Sequence, residues 1–221
     1  MAQAEQKNGY RTVLEGGEGR YEEKKSVFIA TVRPVADEAE AQAFIEEMKK
    51  KYWDARHNCS AFVLGDRSEM MRSSDDGEPS GTAGRPILDV ILGAGLTYTA
   101  IVVTRYFGGV LLGTGGLVRA YTEAARDGIA ESITAEKIWG SHLQVHLNYT
   151  DVGKMQYLLA QAGIPTLHSE YTDTVTLEII MPETEENRFR KQAAEATAGR
   201  ADIEKVGSTF YCEADGQILL G

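Results

Sequence analysis

Read for the spacing of its apolar positions, the chain gives strands and helices in two successive blocks. Residues 1–18, rich in Gly, Glu and Gln, read as a flexible start or a short edge strand around residues 10–14. Val27, Ile29 and Val32 place a strand within residues 21–35. Asp37 and Glu40 stand at capping-box spacing. Phe44, Ile45, Met48 and Tyr52 then recur three and four apart, which predicts a helix to about residue 52 with that face buried. Residues 57–64 and 68–74 flank Gly65-Asp66-Arg67 and predict an antiparallel hairpin. A polar segment, residues 73–84, leads into a short helix over residues 85–94 with Pro86 in its first turn, where a missing amide donor does no harm. Residues 97–104 are almost all β-branched or apolar, the mark of a strand buried on both faces. Residues 108–116 form a glycine-rich loop, and residues 117–135 a helix burying Leu117, Tyr121, Ala124, Ala125, Ile129 and Ile133.

The pattern restarts around residues 137–140, which sets a domain boundary: residues 19–138 form one domain and residues 139–221 another. Leu143, Val145, Leu147 and Tyr149 alternate with His142, Gln144, His146 and Asn148 in a half-buried strand. A helix over residues 151–162, strands over 166–171 and 174–181, a helix over 183–198 and strands over 202–206 and 209–213 follow. Strand, helix, two strands, helix, strand is the ferredoxin-like order.

Composition fits this picture and narrows the partners. Of 221 residues, 43% are hydrophobic and 25% charged, enough for two compact cores. The net charge of -10 excludes a generally basic surface, so any grip on nucleic acid is local. Residues 1–138 carry 17 basic against 21 acidic side chains, and residues 139–221 carry 6 against 12. Cys59 and Cys212 form neither a disulfide framework nor a zinc spacing, and residues 1–9 lack an apolar signal core, so a reducing cytoplasm is the expected compartment. No metal site and no cofactor are expected.

Two segments carry candidate chemistry. Residues 105–119 run from the end of the buried strand through Gly108, Gly109, Gly113, Gly115 and Gly116 into a helix N-terminus, where exposed amides and the helix dipole suit a phosphate or carboxylate. Arg105 and Arg119 add guanidinium groups, and Tyr106 and Phe107 add rings that stack on bases or pack in the core. The segment lacks the lysine of a P-loop and the third glycine of a dinucleotide fingerprint. The glycines equally suit tight strand-to-helix packing, and both readings stand. The other segment, residues 74–85, holds Asp75, Asp76, Glu78 and Thr82 and ends at Arg85. Its carboxylates fit proton transfer, metal binding, capping or partner contact, but not calcium-loop spacing. His142 and His146, about 13 Å apart along a strand, are too distant to share an ion. No partner pattern marks Cys59 as a nucleophile.

Asp76-Gly77-Glu78-Pro79, Gly81-Thr82-Ala83-Gly84-Arg85-Pro86, Val103-Thr104-Arg105-Tyr106-Phe107-Gly108-Gly109 and Leu112-Gly113-Thr114-Gly115-Gly116-Leu117-Val118-Arg119-Ala120-Tyr121 together resemble the signature of the YigZ/IMPACT family. Residues 24–30 and His57-Asn58-Cys59 fit its opening elements, the likeness covering residues 19–133. From Ser141 onward the chain resembles the second domain of the bacterial members. The resemblance implies an α+β protein. Its N-terminal domain would be a left-handed split β-α-β domain like domain IV of elongation factor G, and its second a ferredoxin-like domain similar to domain V of that factor. It also implies translational control and a partner among RNA, the ribosome and translation factors, with no catalytic residues assigned. The eukaryotic members' additional N-terminal RWD domain has no room here, so the kinase activator they compete for does not carry over.

The expected role is a non-enzymatic regulator binding through Arg85, Arg105, Arg119 and the glycine loops. Its rivals are an enzyme or sensor for a small phosphorylated ligand and a protein-interaction module using the acidic loop.

Overall fold

The computed structural model describes residues 9–214 and 216–221. The chain divides into two compact units, Tyr10–Glu136 and Lys137–Gly221. The first contains β1 (Tyr10–Glu15), β2 (Glu18–Glu23), β3 (Ser26–Pro34), α1 (Glu38–Lys51), β4 (His57–Leu64), β5 (Met70–Ser74), α2 (Gly84–Gly93), β6 (Leu96–Thr97), β7 (Thr99–Tyr106) and α3 (Gly113–Ala130). A five-stranded sheet runs in the order β2-β3-β7-β4-β5. Because β3 and β4 are each antiparallel to β7, they are parallel to one another, and α1 joins them across the strand that separates them. This is a split β-α-β arrangement.

The sheet is covered on both faces. Ile101 and Val103 of β7 join a core with Ile87 and Ile91 of α2 and Tyr121 and Ala124 of α3. Ala100 and Val102 pack instead with Phe44 and Met48 of α1. The two cores explain why β7 reads as continuously apolar. The α1 cap forms at the expected residues: Asp37 Oδ1 accepts from the Glu40 amide at 2.8 Å, and Glu40 Oε2 accepts from the Ala36 amide at 2.8 Å.

The second unit comprises most of β8 (Ile133–Leu147), then α4 (Tyr149–Ala162), β9 (Thr166–Tyr171), β10 (Val175–Pro182), α5 (Glu186–Thr197), β11 (Asp202–Ala214) and β12 (Gln217–Leu220). Its sheet order is β9-β10-β8-β11-β12, the ferredoxin-like order with one added edge strand. Leu143, Val145, Leu177 and Ile179 pack against Met155, Leu159 and Phe189 on one face. Gly163, in the left-handed region at φ 64°, closes α4 as expected. Both units are thus α+β.

Residues 10–15 form β1, the short strand offered for that stretch, which pairs with β6 and buries Val13; residues 1–8 lie outside the described residues. Three local expectations change. The single strand over residues 21–35 is a hairpin whose turn is Lys24 at φ 47° and Lys25 at φ 69°. Without Gly or Asn, that turn gives no sequence signal. The helix expected over residues 117–135 begins at Gly113 and ends at Ala130, so Gly113, Gly115 and Gly116 belong to its first turn and Ile133 is 48% exposed in β8. The two strands expected over residues 202–213 are one, β11, with a register shift between Lys205 and Gly207. Among the described residues, no helix is long and apolar enough to cross a membrane.

Candidate functional site

The two candidate segments meet at one end of the five-stranded sheet through a buried polar network. Glu78, from the loop between β5 and α2, accepts from Arg105 Nη1 of β7 at 2.6 Å and from the Tyr121 hydroxyl of α3 at 2.8 Å. The Arg105 and Glu78 side chains are 7% and 3% exposed. Cys59 Sγ of β4 donates to the Asp75 carbonyl at 3.0 Å and lies 3.3 Å from the Tyr121 hydroxyl. Loop, strands and helix are therefore tied at one point. The Arg105 guanidinium also sits 5.5 Å from the Phe28 ring and 5.6 Å from the Phe107 ring, so it backs Phe107 from beneath.

Asp75 organises the rest of the loop. Its carboxylate accepts from the Gly81, Ala83 and Gly84 amides at 2.8, 3.0 and 2.8 Å. The Ala83 and Gly84 amides are orphan donors at the start of α2, whose own N-cap, Ala83, supplies no side-chain cap, and Gly81 lies two residues before that cap. Burial works to raise the Asp75 pKa, but the Gly81, Gly84 and Ala83 amides outweigh it and hold the carboxyl below its ordinary range. Asp76 Oδ2 accepts from the Asn58 amide at 2.7 Å, and its carbonyl meets His57 Nδ1 at 2.9 Å. Thr82 donates to the Pro79 carbonyl at 2.6 Å.

The expected site residues thus separate into an inner and an outer set. Asp75, Glu78 and Thr82 face inward and are satisfied by the protein; Arg105 also faces inward and is paired through Nη1, while its buried Nε has no hydrogen-bond partner among the described residues. Arg105 does not offer its guanidinium as an open surface cation, because Glu78 neutralises it where water is scarce. Arg85 lies outside but pairs along α2 with Asp89 at 2.7 Å. Tyr106 donates to Asp54 at 2.8 Å, a hydrogen bond that, with burial, pushes its pKa up to about 12. Arg119 is exposed on α3 and forms no ion pair among the described residues.

The glycines differ in what they permit. Gly108 lets the loop lie on the β2–β3 turn: a Cβ there would fall 2.1 Å from the Lys25 carbonyl carbon, and its amide donates to Ser26 Oγ at 3.0 Å. Gly109 and Gly113 have φ of 85° and 72°, whereas a Cβ at Gly116 would stand 3.0 Å from Leu112 Cβ. Gly115 has an ordinary helical backbone, and a Cβ there would meet nothing within 4 Å. Packing therefore gives no reason for glycine at that position. Around these residues Phe107 is 52% exposed and Leu111 83% exposed.

Sequence reasoning missed three contributors. Tyr121 reads as one more buried ring of a helix face, yet a tyrosine among small apolar residues signals a hydroxyl that needs a buried partner. Cys59 reads as an inert thiol, and its burial indeed pushes the pKa up, so it stays protonated. Lys24 and Lys25, exposed on the turn that Gly108 touches, pass as ordinary surface residues. Among the described residues, no group of three or more His, Cys, Asp or Glu is placed to hold a metal ion.

Fold and site define a two-unit α+β protein whose split β-α-β unit knits an acidic loop to a glycine-rich helix start. The Impact N-terminal domain family matches residues 24–129, and a domain of unknown function, DUF1949, matches residues 145–200. The IMPACT family member YvyE of Bacillus subtilis is 40% identical over 206 residues, 93% of this chain and 94% of that protein. The IMPACT family member YigZ of Escherichia coli is 36% identical over 182 residues, 81% of this chain and 89% of that protein. A crystal structure of a hypothetical protein aligns with TM-score 0.58 at 31% identity, covering 90% of this chain and 98% of that one. The chain belongs to the IMPACT family.

Proposed function

We propose that this protein is a non-enzymatic regulator of translation that binds RNA through the glycine-rich end of its first unit. The observation that carries the reading is the surface around Gly108. The exposed lysines Lys24 and Lys25 flank it, Arg119 stands in the second turn of α3, and the half-exposed Phe107 ring lies in the same loop. Cations that follow a phosphate backbone beside a ring that stacks on a base form the usual pairing of single-strand binding. Gly115 leaves helix backbone open beside them. In this reading Arg105 holds Phe107 in place and Arg85 stays outside the contact.

Anisotropy of labelled single-stranded RNA and co-sedimentation with ribosomes, each across a salt series, test it. A Lys24→Ala, Lys25→Ala, Arg119→Ala triple variant is expected to lose most affinity and most salt dependence, and Arg85→Ala to change neither. No affinity at low salt, or affinity untouched in the triple variant, would overturn the reading. A second reading, a small phosphorylated ligand at the start of α3, is favoured by one observation: that helix has no side-chain cap and no acidic residue in its first turn. Stabilisation by inorganic phosphate or sugar phosphates without RNA binding would select it.

A further inference from the structure

The second unit contains a cleft of 680 Å³, well inside the range of small-molecule sites. Leu158 of α4, Phe189 of α5, Met181 of β10, Ile138 of β8 and Ile218 of β12 give it apolar walls from five elements. Tyr211 of β11 lines it and is 6% exposed, yet its hydroxyl makes no hydrogen bond among the described residues. The hydroxyl itself is not among the buried unpartnered polar atoms of the described residues, so it stays open to solvent and offers a ligand in the cleft one hydrogen-bonding atom. The position of the ring is also fixed by the sequence: a Cβ at Gly140 would fall 2.5 Å from Tyr211 Cε1, so glycine there makes its seat. The rim sets the charge of what can enter. Arg188 is already paired with Glu185 at 3.5 Å, and Glu213 adds a second carboxylate, which leaves no cationic surplus for phosphates.

We propose that this cleft binds a small uncharged ligand with an apolar, ring-sized body and one hydrogen-bonding atom that meets the Tyr211 hydroxyl. Such a ligand buries its body against Leu158 and Phe189 and exchanges the hydroxyl's contact with solvent for a hydrogen bond of its own. The site lies wholly within the second unit and does not depend on RNA binding by the first.

Ligand-observed NMR on the full chain tests this, with indole as a hydrogen-bonding probe, toluene as its apolar counterpart and ATP as a polyanion. Both aromatic probes are expected to receive saturation from the protein. Ala162→Trp, which places a large side chain at the mouth from an exposed position at the end of α4, abolishes both signals. Tyr211→Phe weakens indole roughly 2- to 10-fold, the worth of one hydrogen bond, and leaves toluene unchanged. The proposal is overturned if neither probe binds a cooperatively melting chain, if Ala162→Trp leaves both signals intact, if Tyr211→Phe weakens both probes alike, or if ATP displaces indole. Where Tyr211→Phe does not fold, the Ala162→Trp result decides alone.

Discussion

Glu78 carries most of the local consequence, because two buried donors converge on its Oε1. Removing Arg105 leaves a carboxylate in a site with little water, and removing one partner of a buried pair costs about 3–5 kcal/mol. Arg105→Ala is therefore expected to lower the urea midpoint strongly. Replacing both partners, as Glu78→Met with Arg105→Leu, is expected to cost less than Arg105→Ala alone. Equal losses in the two would show that the pair itself contributes little. Asp75 adds a pH dependence. Its folded pKa lies below the unfolded value, so its contribution is complete above the ordinary aspartate range and disappears as pH falls through the depressed folded value. Asp75→Asn should cost about 1–2 kcal/mol at neutral pH, the size of charge-assisted amide bonds at a partly exposed site. Denaturation curves of the two proteins should converge as pH falls through that range.

At the scale of elements, loop and helix glycines respond to a methyl group with opposite signs. Gly108→Ala is expected to destabilise by about 1–3 kcal/mol, since the added carbon meets the backbone of β3 at its start. Gly115→Ala meets nothing and is expected to stabilise α3 by about 0.5–1 kcal/mol while weakening RNA binding. A variant that gains stability without losing affinity would detach Gly115 from the proposed surface. Replacing Lys24-Lys25 by Asn-Gly relieves two left-handed residues and should likewise raise stability, by about 1 kcal/mol, as affinity falls. Elements with a clear period were legible in the sequence: the α1 face, the doubly buried β7 and the alternating β8. What stayed hidden obeys no short-range rule. A turn of two lysines resembles any exposed strand segment. A helix opening on three glycines resembles a loop. The Glu78 to Arg105 pair joins residues 27 positions apart, so its carboxylate passes for one more solvated charge.

For the molecule as a whole, a net charge of -10 leaves only a local surface for polyanions. Three free cations predict a shallow salt slope, about -2 in log affinity against log salt for a single strand at roughly 0.7 per contact. A slope several times steeper would point to a larger basic face than this one. The two cysteines offer a way to watch each half separately. Cys59 is 0% exposed in the first unit and Cys212 is 1% exposed in the second, so neither thiol reacts until its own surroundings open. Alkylation kinetics resolved by peptide mass would therefore act as a pair of clocks, one per unit, each measuring how often its fold loosens. RNA held by the first unit should slow the Cys59 clock and leave the Cys212 clock running, whereas a ligand in the second unit's cleft should do the reverse.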